Sequence, residues 1–177
     1  MRFSKWHAVA SLTAAAAVAS LTLAMAGPAT AQPAGYGWIG NYHSGKCLSN
    51  SPVQDYQYPC GDYPNEYFTV YSERSVDGVT LYNLEDDEYG QCLDLEGGST
   101  ANGAHVISYT CNSSDDAQEW YLVNTDIAGW YNFVNWASQT CMTVSADSQG
   151  SGALVQGWSC ATAQSDHSYF WEPHTFP

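Results

Sequence analysis

Basic residues are nearly absent from this 177-residue chain, which contains four Lys and Arg against 18 Asp and Glu. Two of the four, Arg2 and Lys5, lie in an N-terminal leader that we expect to be removed, which leaves a formal charge of −16. A chain so acidic repels phosphate backbones and anionic lipid headgroups, so nucleic acid and anionic membrane surfaces are poor partners. No second apolar run of membrane-spanning length follows the leader, and we expect no membrane insertion.

The leader, residues 1–31, has the pattern of a secretory signal peptide. A positively charged start precedes the uncharged, alanine-rich residues 8–26, and small residues precede two candidate cleavage points. A membrane anchor is the alternative, because 19 uncharged residues are nearly long enough to span a bilayer. The segment is only weakly hydrophobic and no basic stop signal follows it. We therefore predict a secreted, extracellular protein, with cleavage after Ala31 preferred to cleavage after Ala26.

The sequence also lacks any Cys-x-x-Cys pair, and no cysteine lies near a histidine at zinc-ligand spacing. We therefore predict neither a metal site nor a cofactor. All six cysteines follow the leader, and an even number of cysteines in an exported chain indicates disulfides. The 13 Tyr, seven Trp and five Phe distinguish the chain from a disordered acidic sequence.

The cysteines mark a threefold internal repeat. Three of them open similar phrases, at Cys47 (KCLSN), Cys92 (QCLDL) and Cys141 (TCMTV), and three close them, at Cys60, Cys111 and Cys160. An aromatic residue follows each closing cysteine by eight to eleven positions, at Phe68, Trp120 and Trp171. The repeats lie near 36–76, 77–127 and 128–177. Pairing opening with closing cysteines within each repeat is the simplest disulfide pattern, whereas bridges between repeats would break the symmetry.

The local pattern is that of β-strands throughout. Short runs such as YFTVYS and AHVISYT are rich in aromatic and β-branched residues, and Gly, Asn, Ser and Asp separate them about every ten residues. No stretch shows a sustained helical period with caps. We predict a single all-β domain over residues 32–177, built as a pseudo-threefold barrel with about four strands in each repeat.

Four motifs of the middle repeat are similar to those of a known family. They are Cys92-Leu93-Asp94-Leu95, Asn102-Gly103-Ala104, a tyrosine two residues before Cys111, and Gln118-Glu119-Trp120. In these the repeat resembles a ricin B-type lectin domain, a β-trefoil family whose repeats end in Gln-x-Trp. The other repeats end in Glu66-Tyr67-Phe68 and Tyr169-Phe170-Trp171, without the Gln. The resemblance covers about 36–177 and implies a β-trefoil that binds carbohydrate.

An acidic and an aromatic residue lie close together in the predicted middle repeat. If Cys92 and Cys111 face each other on antiparallel strands, Asp94 and Tyr109 form a cross-strand pair beside the disulfide. An aromatic ring can cover the apolar face of a neutral sugar, and a carboxylate accepts hydrogen bonds from its hydroxyls. The resemblance adds Gln118, which gives the predicted carbohydrate-binding set Asp94, Tyr109 and Gln118. The structural alternative is that Asp94 caps a Gly-Gly turn, Tyr109 lies in the core and Gln118 stabilises the barrel.

The other repeats keep less of the pattern that the resemblance implies. The third has Gln156 and Trp158 at the family's glutamine and aromatic positions but Thr143 in place of the aspartate, which makes it a second, weaker candidate site. The first has Ser49 and Tyr58 in place of the aspartate and tryptophan, and we expect little binding there. The acidic run at 85–88 is interpreted as a solvated turn, with weak calcium binding as the alternative.

The chain is thus predicted to be a secreted, lectin-like module. It would recognise neutral mono-, oligo- or polysaccharides, chiefly through the middle repeat, and would not be an enzyme. The alternative is a secreted protein-binding trefoil, such as an inhibitor or surface ligand, whose sugar sites have decayed. A glycosidase is favoured least, because no nucleophile motif accompanies the many carboxylates.

Overall fold

Short strands joined by tight turns make up most of the computed structural model, which describes residues 32–51, 53–160 and 169–171. The predicted leader, 1–31, lies outside the described residues. The strands are β1 Gln32–Asn41, β2 Cys47–Ser49, β3 Tyr56–Tyr58, β4 Tyr67–Val76, β5 Val79–Asp86, β6 Gln91–Leu95, β7 Ala104–Thr110, β8 Trp120–Asn124, β9 Tyr131–Asn135, β10 Cys141–Val144, β11 Ala153–Trp158 and β12 Tyr169–Trp171. Single 3₁₀ turns occupy Pro64–Glu66, Glu96–Gly98, Asp116–Gln118 and Ser145–Asp147. The all-β prediction is confirmed.

The strands pair antiparallel and form one closed network. Three short hairpins, β2–β3, β6–β7 and β10–β11, are joined to one another because β11 also pairs with β3 and with β7. The longer strands build the wall through the pairs β1–β4, β4–β5 and β8–β9. Within the described residues, no helix is both long and apolar enough to cross a membrane.

Alternation along the strands explains which side chains fill the interior. In β4, Phe68 and Val70 are buried while their neighbours Tyr67, Thr69 and Tyr71 are only partly covered, as expected when successive side chains point to opposite faces. Trp120, the last residue of the Gln-x-Trp motif, is fully buried. Its indole nitrogen donates a hydrogen bond of 3.0 Å to the Leu93 carbonyl. The motif's tryptophan therefore belongs to the core and fastens β8 to β6.

Each short hairpin is closed by a disulfide. The bonds join Cys47 to Cys60, Cys92 to Cys111 and Cys141 to Cys160, which are the predicted pairs. The second and third close loops of the same sequence separation, 19 residues, and the first closes one of 13.

The strand register corrects the predicted position of Asp94. Cys92 lies opposite Tyr109 rather than Cys111, and Asp94 lies opposite Ile107. The reason is that Cys111 follows the last residue of β7, so the disulfide spans the hairpin diagonally, with the two Cα atoms 4.9 Å apart. Asp94 and Tyr109 consequently share a face as diagonal neighbours, not as a directly opposed pair.

The acidic run at 85–88 forms a hairpin turn. The Asp86 carboxylate accepts hydrogen bonds from the backbone N–H groups of Glu88, Tyr89 and Gln91, at 3.1, 2.7 and 2.8 Å. The run is a turn, as predicted, and residues 87 and 88 are exposed, but Asp86 is almost fully buried rather than solvated because it accepts these three bonds. Among the described residues, the group of potential metal ligands with suitable proximity is Glu85 with Cys92 and Cys111, and those two cysteines are already joined in a disulfide.

A carboxylate lies buried where the three hairpins meet. The Asp55 N–H donates to the Val106 carbonyl at 3.0 Å, and the Val155 N–H donates to the Asp55 carbonyl at 2.9 Å. Asp55 itself is fully buried, and within the described residues its side chain accepts hydrogen bonds only from the Ser51 N–H and the Ser108 hydroxyl. Burial raises the pKa of Asp55 to about 8, so the group is largely protonated at neutral pH.

Candidate functional site

A cleft of about 470 Å³ opens beside the β6–β7 hairpin, and we call it the middle cleft. One wall consists of Asp94, Ile107 and Tyr109 from the two strands. The glycine turn at 97–98, residues 115–117 and Ala137 complete the lining. The cleft therefore brings together two of the three residues predicted for carbohydrate binding, Asp94 and Tyr109.

Asp94 presents one carboxylate oxygen to the middle cleft. The residue is buried, with a relative exposure of 5%. Oδ2 accepts a hydrogen bond of 3.0 Å from the Gln118 amide, while Oδ1 has no hydrogen-bond partner among the described residues. Burial raises the pKa of Asp94, the Gln118 hydrogen bond opposes that rise, and the negative charges of Asp115 and Glu96 add to it. Within the described residues Asp94 makes no bond to the Gly-Gly turn, in contrast to the structural alternative.

Gln118 lies behind Asp94 and outside the cleft lining. It is fully buried, and its Nε2 donates both to Asp94 and to the Thr110 carbonyl, each at 3.0 Å. Its Oε1 accepts from the Asn112 N–H at 2.8 Å. These three bonds fix the amide orientation, so Gln118 holds the Asp94 carboxylate in one position.

Tyr109 is on the surface rather than in the core. It is 60% exposed, directly opposite Cys92 on the neighbouring strand. Ile107, two residues earlier on the same face of β7, is half-buried and also lines the cleft. The two side chains give the cleft an apolar wall beside the free oxygen of Asp94.

The floor of the cleft depends on two glycines with left-handed backbone. Gly97 and Gly98 have φ values of 64° and 59°, which glycine adopts without steric cost. A Cβ added to Gly98 would lie 3.8 and 3.9 Å from the Cβ atoms of Ala117 and Ala137. These are ordinary van der Waals distances, so it is the backbone conformation that favours glycine at both positions.

Arg74 supports the cleft from outside, and the sequence interpretation missed it. Its Nε donates to Glu119 Oε1 and its Nη2 to Asp116 Oδ1, both at 2.7 Å. Glu119 is 99% buried, so Arg74 compensates a carboxylate that has little access to water. The sequence carries one hint of this role, because Arg74 is one of only two basic residues beyond the leader.

Replacing Arg74 by glutamine is expected to lower the thermal midpoint and to disturb the turn that lines the middle cleft. The substitution leaves the Glu119 carboxylate buried without its counter-charge and frees the turn that carries Asp116. Thermal unfolding followed by circular dichroism measures the first effect. Lys46→Gln removes the same charge from the turn between β1 and β2 and is the matched control. Equal midpoints for the two variants would contradict the supporting role of Arg74.

The third hairpin brings its predicted residues together in part. Thr143 lies opposite Gln156 in the strand register and is buried, Gln156 is half-buried, and Trp158 is 41% exposed. His43 approaches from the β1–β2 turn, with its Nε2 3.5 Å from Asp147 Oδ1. The residues that would correspond to 115–117 fall in 161–168, outside the described residues.

The first hairpin has reversed hydrogen-bond polarity at the position of Asp94. Ser49 occupies that position and donates its hydroxyl to Glu66 Oε1 at 3.2 Å. Glu66 occupies the position of Gln118 and accepts from the Gly61 N–H at 2.7 Å. Burial raises the pKa of Glu66, and both side chains are almost fully buried. This hairpin therefore presents no free carboxylate oxygen from its Asp94 position.

The closed network of antiparallel strands is that of the β-trefoil class of lectin-like proteins. The model of the family described as "Ricin-type beta-trefoil lectin domain-like" matches residues 29–109 and 64–158. The chain belongs to this family.

Solved structures show the same fold. A designed threefold-symmetric protein, ThreeFoil, is 28% identical, with a TM-score of 0.68 over 76% of this chain and 96% of its own. The hemolytic lectin CEL-III is 26% identical, with a TM-score of 0.64 over 79% of this chain and 30% of its own. An exo-β-1,3-galactanase from Clostridium thermocellum is 19% identical, with a TM-score of 0.69 over 80% of this chain and 30% of its own.

This chain thus spans about a third of the length of the hemolytic lectin and of the galactanase. The Polyporus squamosus lectin, solved with the epitope Neu5Acα2-6Galβ1-4GlcNAc, is 19% identical, with a TM-score of 0.65 over 81% of this chain and 50% of its own. No curated protein matches the chain.

Proposed function

We propose that this protein is a secreted carbohydrate-binding module that acts chiefly through the middle cleft and catalyses no reaction. The observation that carries the proposal is the free Oδ1 of the buried Asp94 carboxylate beside the exposed ring of Tyr109. Membership of a lectin-like family supports it. A carboxylate that accepts hydroxyl hydrogen bonds and a ring that covers the C–H face are the two contacts that a pyranose needs.

The scaffold would hold both groups in place before a sugar arrives. Gln118 fixes the Asp94 carboxylate, and the Cys92–Cys111 disulfide closes the hairpin that carries Asp94 and Tyr109. Fewer side-chain rotations are then lost on binding, which reduces the entropic cost. A single shallow cleft of this kind is still expected to bind weakly, with a Kd around millimolar, or about 4 kcal/mol.

The proposal includes three repeats, each with one disulfide, that differ in their capacity to bind sugar. The Asp94 position is occupied by Ser49 in the first and by Thr143 in the third. Ser49 gives its hydroxyl to Glu66, so the first repeat would not bind sugar. Gln156 and the exposed Trp158 support a weaker second site in the third repeat, where a hydroxyl replaces the carboxylate.

Secretion is proposed from the leader and the disulfides together. Residues 1–31 would be removed on export, which leaves 32–177 as the mature domain. The structure has three disulfides. Disulfides persist in oxidising environments such as the extracellular space and are rare in cytosolic proteins.

A glycan array probed with the exported protein tests the proposed function. We expect binding to at least one glycan, and a loss of at least roughly tenfold in affinity for Asp94→Asn and for Tyr109→Ala. Asp94→Asn preserves shape and removes the charge, so folding should survive, as circular dichroism would verify. Gln156→Ala is the control at the weaker site and should leave most of the binding. Unchanged binding by Asp94→Asn would exclude the middle cleft.

A protein-binding trefoil is the second candidate function. Exposed tyrosines outside the middle cleft, including Tyr58, Tyr63 and Tyr89, would suit a protein interface. Failure to bind any glycan on the array would favour this candidate.

A further inference from the structure

The middle cleft is acidic, and the described residues that line it include no lysine or arginine. Asp94, Asp115 and Asp116 contribute three carboxylates to it. Asp116 is paired with Arg74, which reaches it from outside the lining. The other two carboxylates have no such counter-charge among the described residues.

The uncompensated carboxylates each keep an oxygen available. Asp94 Oδ2 is held by Gln118, which leaves Oδ1 to the cleft although the residue is 95% buried. Asp115 Oδ1 accepts from the Ala117 N–H at 3.0 Å, which leaves Oδ2 without a hydrogen bond in the described part of the chain. Both oxygens belong to residues that line the same cleft.

The electrostatics indicate that these charges repel one another. The pKa of Asp94 is raised by burial first, and the negative charges of Asp115 and Glu96 raise it further. Glu96 lies 3.2 Å from His105 Nδ1 and is offset only when that histidine is protonated. A positively charged ligand would relieve this repulsion, whereas a neutral ligand would shield the carboxylates from water and strengthen the repulsion between them.

We propose that the middle cleft binds a sugar with a free, protonated amino group. The inference rests on the proposed carbohydrate-binding function and names its ligand class. An ammonium group has three donors and no acceptor, so it can donate to Asp94 Oδ1 and lie in the field of Asp115. Tyr109 and Ile107 would contact the apolar face of the same ring. Uronic and sialic acids, which carry a carboxylate, are excluded by the same charges.

An ammonium suits the cleft better than a bare metal cation does. Calcium takes six to eight oxygen ligands, and magnesium needs nearly ideal octahedral geometry. The cleft supplies one free oxygen from each of its two uncompensated aspartates, and Ile107 and Tyr109 form an apolar wall beside Asp94. The combination of few acceptors with an aromatic side matches an amino sugar.

Titration calorimetry of the exported protein against matched sugars tests the inference. Glucosamine, galactosamine and mannosamine are each compared with their N-acetylated forms and with the neutral parent hexoses, at a pH where the amines are protonated. We expect at least one free amine to bind roughly fivefold to tenfold more tightly than its acetylated and neutral counterparts. The preference should shrink when the salt concentration is raised to about 1 M, where screening is strong.

Two single substitutions separate the charge of the cleft from its shape. Asp115→Asn removes a cleft charge but retains an oxygen that can accept from the Ala117 N–H, so we expect the ratio of amine affinity to neutral-hexose affinity to fall. Asp126→Asn changes the net charge equally at an exposed turn and should preserve the preference. Equal affinities for amine, acetylated and neutral forms would overturn the inference and leave the carbohydrate-binding function standing. Absence of binding to every sugar would count against both.

Discussion

Replacing Asp55 by valine is expected to stabilise the protein, and to do so much more at pH 8 than at pH 5. The fold holds this carboxyl group at a pKa of about 8, whereas an unfolded chain has it near 3.8. Between these values the unfolded state releases the proton and the folded state retains it, so folding becomes less favourable as the pH rises. The contribution of Asp55 at pH 8 is then about 3 to 4 kcal/mol less favourable than at pH 5.

Valine is the natural replacement, because Val106 and Val155 occupy the equivalent positions of the other two hairpins, three residues before Tyr109 and Trp158. The Asp55 N–H donates to the Val106 carbonyl, and the Asp55 carbonyl accepts from the Val155 N–H. The gain at low pH should be small, since the Ser51 N–H and the Ser108 hydroxyl lose their acceptor. The measurement is chemical denaturation of wild type and Asp55→Val at pH 5 and at pH 8.

Asp126→Asn, at an exposed turn, provides the control for this experiment. It should leave the pH dependence of the unfolding free energy as it is in the wild type. A residual slope is expected in Asp55→Val, because burial also raises the pKa values of Glu66 and Asp94. Identical slopes for wild type and Asp55→Val would show that Asp55 is not the group responsible.

Removing the Cys92–Cys111 disulfide is expected to cost about 3 kcal/mol of stability and to weaken sugar binding as well. The double variant Cys92→Ala/Cys111→Ala removes the bond between two residues that are 19 positions apart. The segment between them contains Asp94 and Tyr109. Both groups then have to be ordered by the ligand, which reduces affinity. Equilibrium unfolding and calorimetric titration with a glycan that the array identifies measure the two effects.

The third hairpin provides a matched control. The disulfide Cys141–Cys160 has the same sequence separation of 19, so Cys141→Ala/Cys160→Ala should lose a similar amount of stability. Its removal should affect binding in the middle cleft far less. Parallel losses of affinity in the two double variants would mean that binding tracks global stability instead of local order.

The repeated spacing of the cysteines was sufficient to predict the disulfide pairs. The short runs of aromatic and β-branched residues were sufficient to predict an all-β fold. The register of β6 and β7 could not be obtained in the same way. A disulfide joins either directly opposed or diagonal positions, and only the folded structure shows that Cys92 faces Tyr109. The prediction that Asp94 and Tyr109 share one face of the hairpin was therefore right, but the prediction that they lie directly opposite each other was wrong.

Residues that act through another residue were the hardest to predict. Gln118 was expected to contact the sugar, but its burial and its three hydrogen bonds assign it to the support of Asp94. Arg74 lies more than 40 positions from Asp116 and Glu119, so no local pattern could connect them. Aspartate is typical of loops, so the sequence around Asp55 gives no signal of burial. Its burial is evident only in the structure, where three hairpins meet at this residue.

The reversed polarity of Ser49 and Glu66 makes the carboxylate at the Asp94 position easier to lose in the middle hairpin than to introduce in the first one. In the middle repeat, a serine at position 94 could still accept from the Gln118 amide, so one substitution would remove the carboxylate without a conflict. In the first repeat, an aspartate at position 49 would meet the buried Glu66 carboxylate, and one of the two would have to hold a proton. A carboxylate at position 49 therefore requires a change at position 66 as well. Two substitutions separate the first hairpin from the arrangement of the middle one, whereas a single substitution removes that arrangement.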